Sequence, residues 1–204
     1  MLYTKQNLAV VEGASKDENR PVLNGVLLDK SGETVATNGH VLFRVGKAIT
    51  PDDEFPSTGQ KATKPKDQII SASDIRDITT KIPKGRSIPI LQHCQLIKNE
   101  KEDRAAFITT DLDAMTIHDC RLIEGPYPNY QASFDDLPKK PVFEIMIGNE
   151  VLEALVRFVK KAKYPDATIS FKFYGPTRVI TFDVGQNEGD QKVDGMLMPR
   201  RTNE

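Results

Sequence analysis

One stretch of the chain has the periodicity of an amphipathic helix, and the segments around it restrict the fold more than any other feature. From Val151 to Ala162, apolar residues recur every three or four positions along one helical face. Asn149 can cap the start of this helix, and Tyr164-Pro165 ends it. One apolar strand precedes the helix and three follow it, at 142–147, 167–174, 178–185 and 192–199. The pattern therefore predicts an α+β unit in which a helix covers an antiparallel sheet.

The same order of elements occurs further upstream. A strand is predicted at 67–72, and Ser73 can cap a helix that Pro83 and Gly85 stop. One face of this helix carries Ile75, Ile78 and Ile82. Three strands follow, at 87–97, 104–111 and 114–123. These signals predict a second unit of the same plan.

The first 50 residues show a weaker version of this order. Met1–Val11 is predicted to be a short helix. Two strands follow it, at 21–29 and 32–45. Val35–Asn38 and Ile108–Asp111 occupy equivalent places in their units and have similar residues. The repeated order indicates internal duplication.

The charge balance argues against a protein that simply coats DNA, because such domains are usually strongly basic. The 204 residues include 28 Lys and Arg and 29 Asp and Glu, for a formal net charge of −1. The balance does not exclude a protein that confines its basic residues to one face. No apolar run approaches the roughly 18–20 residues of a membrane span. The N-terminal segment lacks the apolar core of a secretion signal, so we expect a cytoplasmic protein.

Signals for catalysis or metal binding are weak. Cys94 and Cys120 lie in strand-like stretches without metal-ligand spacing, which indicates buried free thiols. His93 and Cys94 are adjacent in a strand and point to opposite faces. His118 and Cys120 can share a face, but two ligands two positions apart are not a metal site. We predict a non-enzymatic protein without metal or cofactor, with a small hydrolase of unknown class as an alternative.

Four segments, taken in order, resemble the bacterial sliding clamp, the beta subunit of DNA polymerase III. The first is Arg20–Leu28 followed by Val35–His40, where the family's middle domain has similar residues. The second, Ile123–Tyr130, is similar to the connector between the family's second and third domains. The third is the strand and helix from Phe143 to Ala162. The fourth, Met196–Arg201, is similar to the family's C-terminal Met-Pro-Met-Arg.

The resemblance implies a DNA-clamp-like α+β fold made of duplicated half-domains. A family subunit has three domains of two half-domains each, whereas this chain has about three half-domains. It resembles the middle domain, over 1–134, joined directly to the second half of the third domain, over 135–204. Two such chains cannot supply the twelve half-domains of a family ring, and four chains can. A monomeric remnant and a factor that binds another clamp are equally compatible with this length.

In the family, a groove between the second and third domains binds short peptides of polymerase, loader and repair proteins. Carried over position by position, the groove here is lined by Leu23, Thr37, Gly39, His40, Leu42, Pro128, Met196, Met198, Pro199 and Arg201. Leucine, methionine and proline make an adaptable apolar trough, and His40 and Arg201 can hydrogen-bond a peptide. Arg200 stands where the family usually has methionine, which implies a shallower groove, a preference for acidic peptides, or no groove.

The family's helices line the central hole and contact the phosphates of double-stranded DNA without reading its sequence. The corresponding cations here are Arg76, Lys81, Arg157, Lys160 and Lys161. Acidic residues share these helices, which is also the pattern of an ordinary solvated face. The resemblance implies a homo-oligomeric, sliding-clamp-like processivity factor. The alternative is a clamp-fold interaction protein that modulates replication without encircling DNA.

Overall fold

The structure is a computed structural model that describes residues 1–60, 63–64, 66–83, 88–99, 103–161, 168–185 and 193–200. The chain forms two compact units, unit 1 from Met1 to Asn129 and unit 2 from Tyr130 to Glu204. Each unit has its own apolar core. The domain boundary predicted between 134 and 135 falls within a short helix, α3 (Tyr130–Asp135).

Unit 1 contains the same series of elements twice, and we call each series a half-unit. The first half-unit consists of β1 (Leu2–Thr4), α1 (Lys5–Leu8), a 3₁₀ helix (Ala9–Gly13), a second 3₁₀ helix (Pro21–Asn24), β2 (Gly25–Leu28), β3 (Thr34–Thr37) and β4 (Leu42–Val45). The second consists of β5 (Gln68–Ser71), α2 (Ala72–Lys81), a 3₁₀ helix (Pro89–Gln92), β6 (His93–Ile97), β7 (Arg104–Thr110) and β8 (Met115–Ile123). The order of strand, helix and three strands is thus present twice, which confirms the predicted duplication.

The eight strands described in unit 1 join one antiparallel sheet, in the order β1-β6-β7-β8-β5-β2-β3-β4. The first strand of each half-unit pairs in the other half-unit, since β1 pairs with β6 and β5 pairs with β2. The backbones of Leu2, in one edge strand, and Ile49, just beyond the opposite edge strand, exchange hydrogen bonds of 2.8 and 2.9 Å. The sheet is therefore curled, so that the segment following β4 at one edge reaches β1 at the other edge.

The helical segments of the two half-units share one core. Leu8 and Val11 from the first half-unit and Ile75 and Ile78 from the second are all buried in the same apolar cluster. The Arg76 guanidinium donates a 3.4 Å hydrogen bond to the carbonyl of Val11, so the helical segments are neighbours. Each fully buried isoleucine or leucine contributes roughly 1.5–3 kcal/mol through burial. Because residues of both half-units form this one apolar cluster, we expect the two half-units to fold cooperatively.

The β3–β4 and β7–β8 hairpins close with the same hydrogen bonds. The threonine that enters each turn donates its hydroxyl to the carbonyl four residues later, at 2.6 Å from Thr37 and 2.9 Å from Thr110. The next side chain, Asn38 or Asp111, accepts the amides two and three residues ahead at 2.8–3.1 Å. The equivalence predicted from the sequence of these two segments therefore extends to individual atoms.

The two turns differ in the residue at their tip. Gly39 has a φ of 90°, a region that glycine enters without strain, while Leu112 in the equivalent place has a φ of 82°. An L-residue with a Cβ loses roughly 1–2 kcal/mol in the left-handed region. The Leu112 side chain is 57% exposed, so burial offsets little of this cost.

Two predictions for the first half-unit are wrong. The predicted helix at 1–11 begins as strand β1, in which Leu2 and Tyr3 are buried, and Thr4 then caps α1. The predicted strand at 32–45 is a hairpin, because Asn38-Gly39 turns the chain between β3 and β4. The Asn-Gly pair is a strong hairpin signal that the alternating apolar pattern obscured.

Three further predictions need correction in their boundaries. The predicted strands at 21–29 and 87–97 each begin with a 3₁₀ helix, whose first residue is Pro21 or Pro89. Proline suits this position because its fixed φ is helical and it has no amide to satisfy. The cap of α2 is Ser71 rather than Ser73, since the Ser71 hydroxyl accepts the Asp74 amide at 3.1 Å.

Unit 2 is a third, single half-unit. Its helix α4 (Asn149–Lys161) covers a three-stranded antiparallel sheet of β9 (Ile169–Phe173), β10 (Ile180–Val184) and β11 (Asp194–Leu197), in the order β11-β10-β9. Leu155 and Val159 of α4 pack on Ile180, Phe182 and Leu197. This arrangement confirms the predicted helix on an antiparallel sheet.

The strand predicted at 142–147 is wrong, because the segment lies in no strand. The side chains of Ile145 and Ile147 pack against the core of unit 2. Between them, the Met146 carbonyl accepts a 2.7 Å hydrogen bond from the Arg200 amide. Burial alternates over 144–147 as in a strand, but the segment has no ladder partner among the residues that the structure describes. Among the described residues, no helix is long and apolar enough to cross a lipid bilayer.

Candidate peptide groove and helix faces

A tyrosine fixes the segment Gly125–Pro128, which we call the connector, to the sheet of unit 1. The backbone amide of Thr37 in β3 donates a 3.1 Å hydrogen bond to the Tyr127 hydroxyl. Burial raises the pKa of Tyr127 to about 12, so the phenol is neutral at physiological pH. The bond joins residues far apart in the chain and holds Pro128 close to the end of β3.

The connector also passes close to the 3₁₀ helix Pro21–Asn24. Gly125 has a φ of 121°, and a Cβ added there would lie 3.0 Å from the Val22 side chain. Both the backbone conformation and the lack of space require glycine at this position. The connector therefore lies against the 3₁₀ helix as well as β3.

The β3–β4 turn, residues 38–41, is the third segment at this place. Gly39 and His40 are exposed. The Arg20 guanidinium lies 3.6 Å from the position that a Cβ on Gly39 would take. The Arg20–Asn24 segment, the turn and the connector thus form one surface of unit 1.

Six of the ten predicted groove residues belong to unit 1. Leu23, Gly39, His40 and Pro128 lie on this surface, and Thr37 and Leu42 form the strand pair at the base of the turn. Leu23 and Leu42 are half-buried and Thr37 is buried, while Gly39, His40 and Pro128 are exposed. Half-buried leucines beside exposed backbone suit the capture of an apolar side chain from an extended peptide.

The remaining groove residues belong to unit 2. Met196 and Met198 are 73% and 68% exposed, and Leu197 between them faces the core, as alternation along a strand requires. Pro199 is half-buried, and Arg201 lies outside the described residues. Since the predicted groove draws on both units, its assembly into one trough remains a prediction.

Unit 2 itself has an open apolar cleft of about 380 Å³ between α4 and the edge strand β11. Its walls are Val151, Ala154, Leu155, Phe158, Phe182, Met196 and Leu197, with Glu150 as the one charged residue. Met196 therefore belongs to an apolar depression. Local sequence patterns do not indicate this cleft, because helix α4 and strand β11, which form its two walls, are over 30 residues apart.

All five predicted DNA-facing cations are exposed. Their surroundings are mixed in charge, because Asp74 and Asp77 share α2 with Arg76 and Lys81. On α4, the Arg157 guanidinium lies 3.7 Å from the Glu153 carboxylate. Phosphate binding needs an excess of positive charge, and of the described helices α2 and α4 it is the C-terminal half of α4 that has one.

The histidines and cysteines do not form an activated nucleophile. Burial raises the pKa of Cys120 to about 12, which is opposite to the shift that a reactive thiol needs. The His118 ring shares a 2.9 Å hydrogen bond with the Thr109 hydroxyl. His93 and Cys94 are both buried, away from any substrate. No metal-binding cluster of three acidic, histidine or cysteine side chains occurs in the described ranges.

Comparison with solved structures identifies the architecture. A solved structure of the H. pylori beta clamp in complex with diflunisal superimposes on this chain with a TM-score of 0.63 at 12% sequence identity. The chain has a clamp fold. The match covers 96% of this chain and 47% of that chain, so our protein spans about half the length of that clamp. No family model and no curated protein matches the sequence.

The clamp fold draws attention to residues that the sequence had not assigned to the site. Tyr127 fixes the connector to β3, Val22 lies beside Gly125 and Arg20 lies beside Gly39, although none of the three belongs to the predicted groove. The Gly-Pro-Tyr-Pro run at 125–128 was a usable signal, because a glycine and an aromatic residue between prolines indicate a chain held in one conformation.

Proposed function

We propose that this clamp-fold protein is a sliding-clamp-like processivity factor, which tethers replication proteins to DNA through a peptide groove and has no catalytic activity. The observation that carries the proposal is the hydrogen bond of Tyr127 to the Thr37 amide. It fixes the connector beside the β3–β4 turn, where the predicted groove residues of unit 1 lie. Exposed Met196 and Met198 supply the apolar side chains expected from unit 2.

The chemistry of these residues fits short apolar peptides. Methionine adapts its shape to varied partners, and His40 can hydrogen-bond the peptide backbone. Each buried apolar anchor contributes roughly 1.5–3 kcal/mol. After the cost of ordering the peptide, two or three anchors give dissociation constants on the order of micromolar. Such binding allows partners to exchange.

A titration with a clamp-binding peptide tests the groove. Met198→Ala should weaken binding about tenfold or more, because it removes one apolar contact. Met115→Ala is the matched control, since Met115 is 59% exposed on β8 and lies outside the groove. Equal affinities for wild type and Met198→Ala would remove the groove from consideration.

Passage of DNA through an oligomeric ring is the second part of the proposal. Four chains would supply twelve half-units, with the cations of α2 and α4 facing double-stranded DNA. We expect retention on closed circular DNA, release from linear DNA, and weaker retention in Lys160→Gln/Lys161→Gln at raised salt. Equal retention on both DNA forms would contradict encirclement.

A second candidate function is a clamp-fold interaction protein that modulates replication without encircling DNA. The mixed charge of α2, with Asp74 and Asp77 beside Arg76 and Lys81, favours it. In that case the peptide titration succeeds and circular DNA is not retained. The two experiments together therefore separate the candidates.

A further inference from the structure

Helix α4 is apolar over a wider arc than its own sheet can cover. At 3.6 residues per turn, its apolar residues span roughly 200° of the circumference, from Ala154 to Val156. The centre of this arc, Leu155 and Val159, is buried on the sheet of unit 2. On one side of the centre, Leu152 and Val156 are 41% and 46% exposed. A soluble helix rarely leaves such an apolar flank uncovered.

Unit 1 shows what covers the same flank elsewhere in this chain. Ile75 is the fourth residue of α2, as Leu152 is of α4, and Ile75 is fully buried. Next to it, Arg76 donates to the carbonyl of Val11 in the 3₁₀ helix of the other half-unit. The flank of α2 that corresponds to Leu152 and Val156 thus faces a second half-unit.

In the described part of unit 2, the sheet ends at the equivalent strand. In unit 1, the first strand after each helical segment, β2 or β6, takes an incoming strand from the other half-unit. In the described part of unit 2, the equivalent strand β9 pairs with β10 alone. Both the helix flank and the sheet edge are therefore complete only when a second half-unit is present.

The charges on α4 favour a second copy of the same helix as the partner. Its N-terminal half carries Glu150 and Glu153, and its C-terminal half carries Arg157, Lys160 and Lys161. A twofold axis perpendicular to the helices sets the two copies of α4 antiparallel. Acidic and basic halves then face each other, and Glu153 and Lys160 border the Leu152–Val156 flank.

We propose that unit 2 pairs with unit 2 of a second copy of this chain, through the flank of Leu152 and Val156, to rebuild a body of two half-units like unit 1. This inference deepens the proposed self-association by naming its surface. Two chains then contain three such bodies, and two of these dimers supply the twelve half-units of a ring.

Sedimentation equilibrium on the full chain tests the pairing. Wild type should dimerise or assemble further, and Val156→Asp should raise the dissociation constant of the dimer at least tenfold. Ile117→Asp is the matched control, because Ile117 is 63% exposed on β8 of unit 1, and it should assemble as wild type does. A wild type that stays monomeric at high concentration, or Val156→Asp that assembles normally, would overturn the inference.

Charge reversal supplies a second arm that does not depend on an apolar substitution. Glu153→Lys and Lys160→Glu should each weaken the dimer, and the double variant should restore it, because the reversed charges meet again across the axis. These positions are seven residues apart, too far to pair within one helix. Failure of the double variant to recover would contradict the antiparallel pairing.

The peptide titration distinguishes this inference from the proposed function. If Val156→Asp is monomeric and still binds the peptide, the surface is assigned and the groove is independent of it. If the wild type assembles through Val156 but binds no peptide, the pairing stands and the processivity proposal fails.

Discussion

Replacing Tyr127 with phenylalanine removes the acceptor that holds the connector against β3. The Thr37 amide, which donates to the Tyr127 hydroxyl at 3.1 Å, would then lose its partner in a buried residue. A buried donor without an acceptor costs roughly 1–3 kcal/mol. A loss of about 2 kcal/mol lowers the midpoint of urea unfolding by on the order of 1 M. Peptide affinity should fall as well, because Pro128 is no longer fixed beside the β3–β4 turn.

Tyr174→Phe is the control for this substitution. The Tyr174 hydroxyl lies 3.3 Å from the Thr181 hydroxyl in unit 2, and its side chain is 60% exposed. Water replaces an exposed partner, so the expected change is under about 0.5 kcal/mol. If Tyr127→Phe and Tyr174→Phe unfold at the same urea concentration as wild type, the connector is not held by this bond.

Four other predictions concern unit 1. Leu112→Gly should raise the free energy of unfolding by about 0.5–1 kcal/mol, because glycine relieves the strained φ. Gly39→Ala in the equivalent turn should lower it by about 1–2 kcal/mol. Urea titration of each variant measures the direction of the change. Burial lowers the pKa of His93 below its ordinary 6.5, so the unfolded chain takes up the proton first. The contribution of neutral His93 to the free energy of unfolding is therefore complete above about pH 6.5, and it falls as the pH drops towards the folded-state pKa. His93→Leu should make the free energy of unfolding depend less on pH over this range. Burial raises the pKa of Cys120 to about 12, so the thiol is protonated and shielded at neutral pH. The rate at which a thiol reagent labels Cys120 should therefore equal the opening rate of unit 1, and mass spectrometry measures it. Gly125→Ala should cost about 1–3 kcal/mol and weaken peptide binding, because it combines a strained φ with a close contact.

Local patterns in the sequence were sufficient to predict the helices that bury one face. The stripes of α2 and α4 repeat at the helical period, and both helices lie where predicted. Strand β1 was missed because its partner, β6, lies some 90 residues away. Residues 142–147 show the opposite error, since they alternate like a strand but have no ladder partner in the described part of unit 2. A strand is defined by its pairing, which local periodicity does not contain.

The candidate site was predictable only as a set of residues. Resemblance to the clamp family pointed to Leu23, Gly39 and Pro128, and the structure places them on three segments that meet in unit 1. Tyr127 lies in the segment that resembles the family's connector, but it was not assigned to the groove, because its role depends on a hydrogen bond to a backbone amide. Side-chain type indicates what a residue can bind, but not which distant backbone group it reaches.

The exchange of first strands in unit 1 has a consequence for synthesis on the ribosome. Leu2 pairs with Gln95, so the N-terminal strand has no complete site until β6 has left the exit tunnel. Its apolar side chains therefore have no β6 partner while the first half-unit is being synthesised. Contacts this distant in sequence also slow folding. A nascent chain stalled before β6 should therefore be sensitive to protease and recruit chaperones, while one that extends past β8 should not.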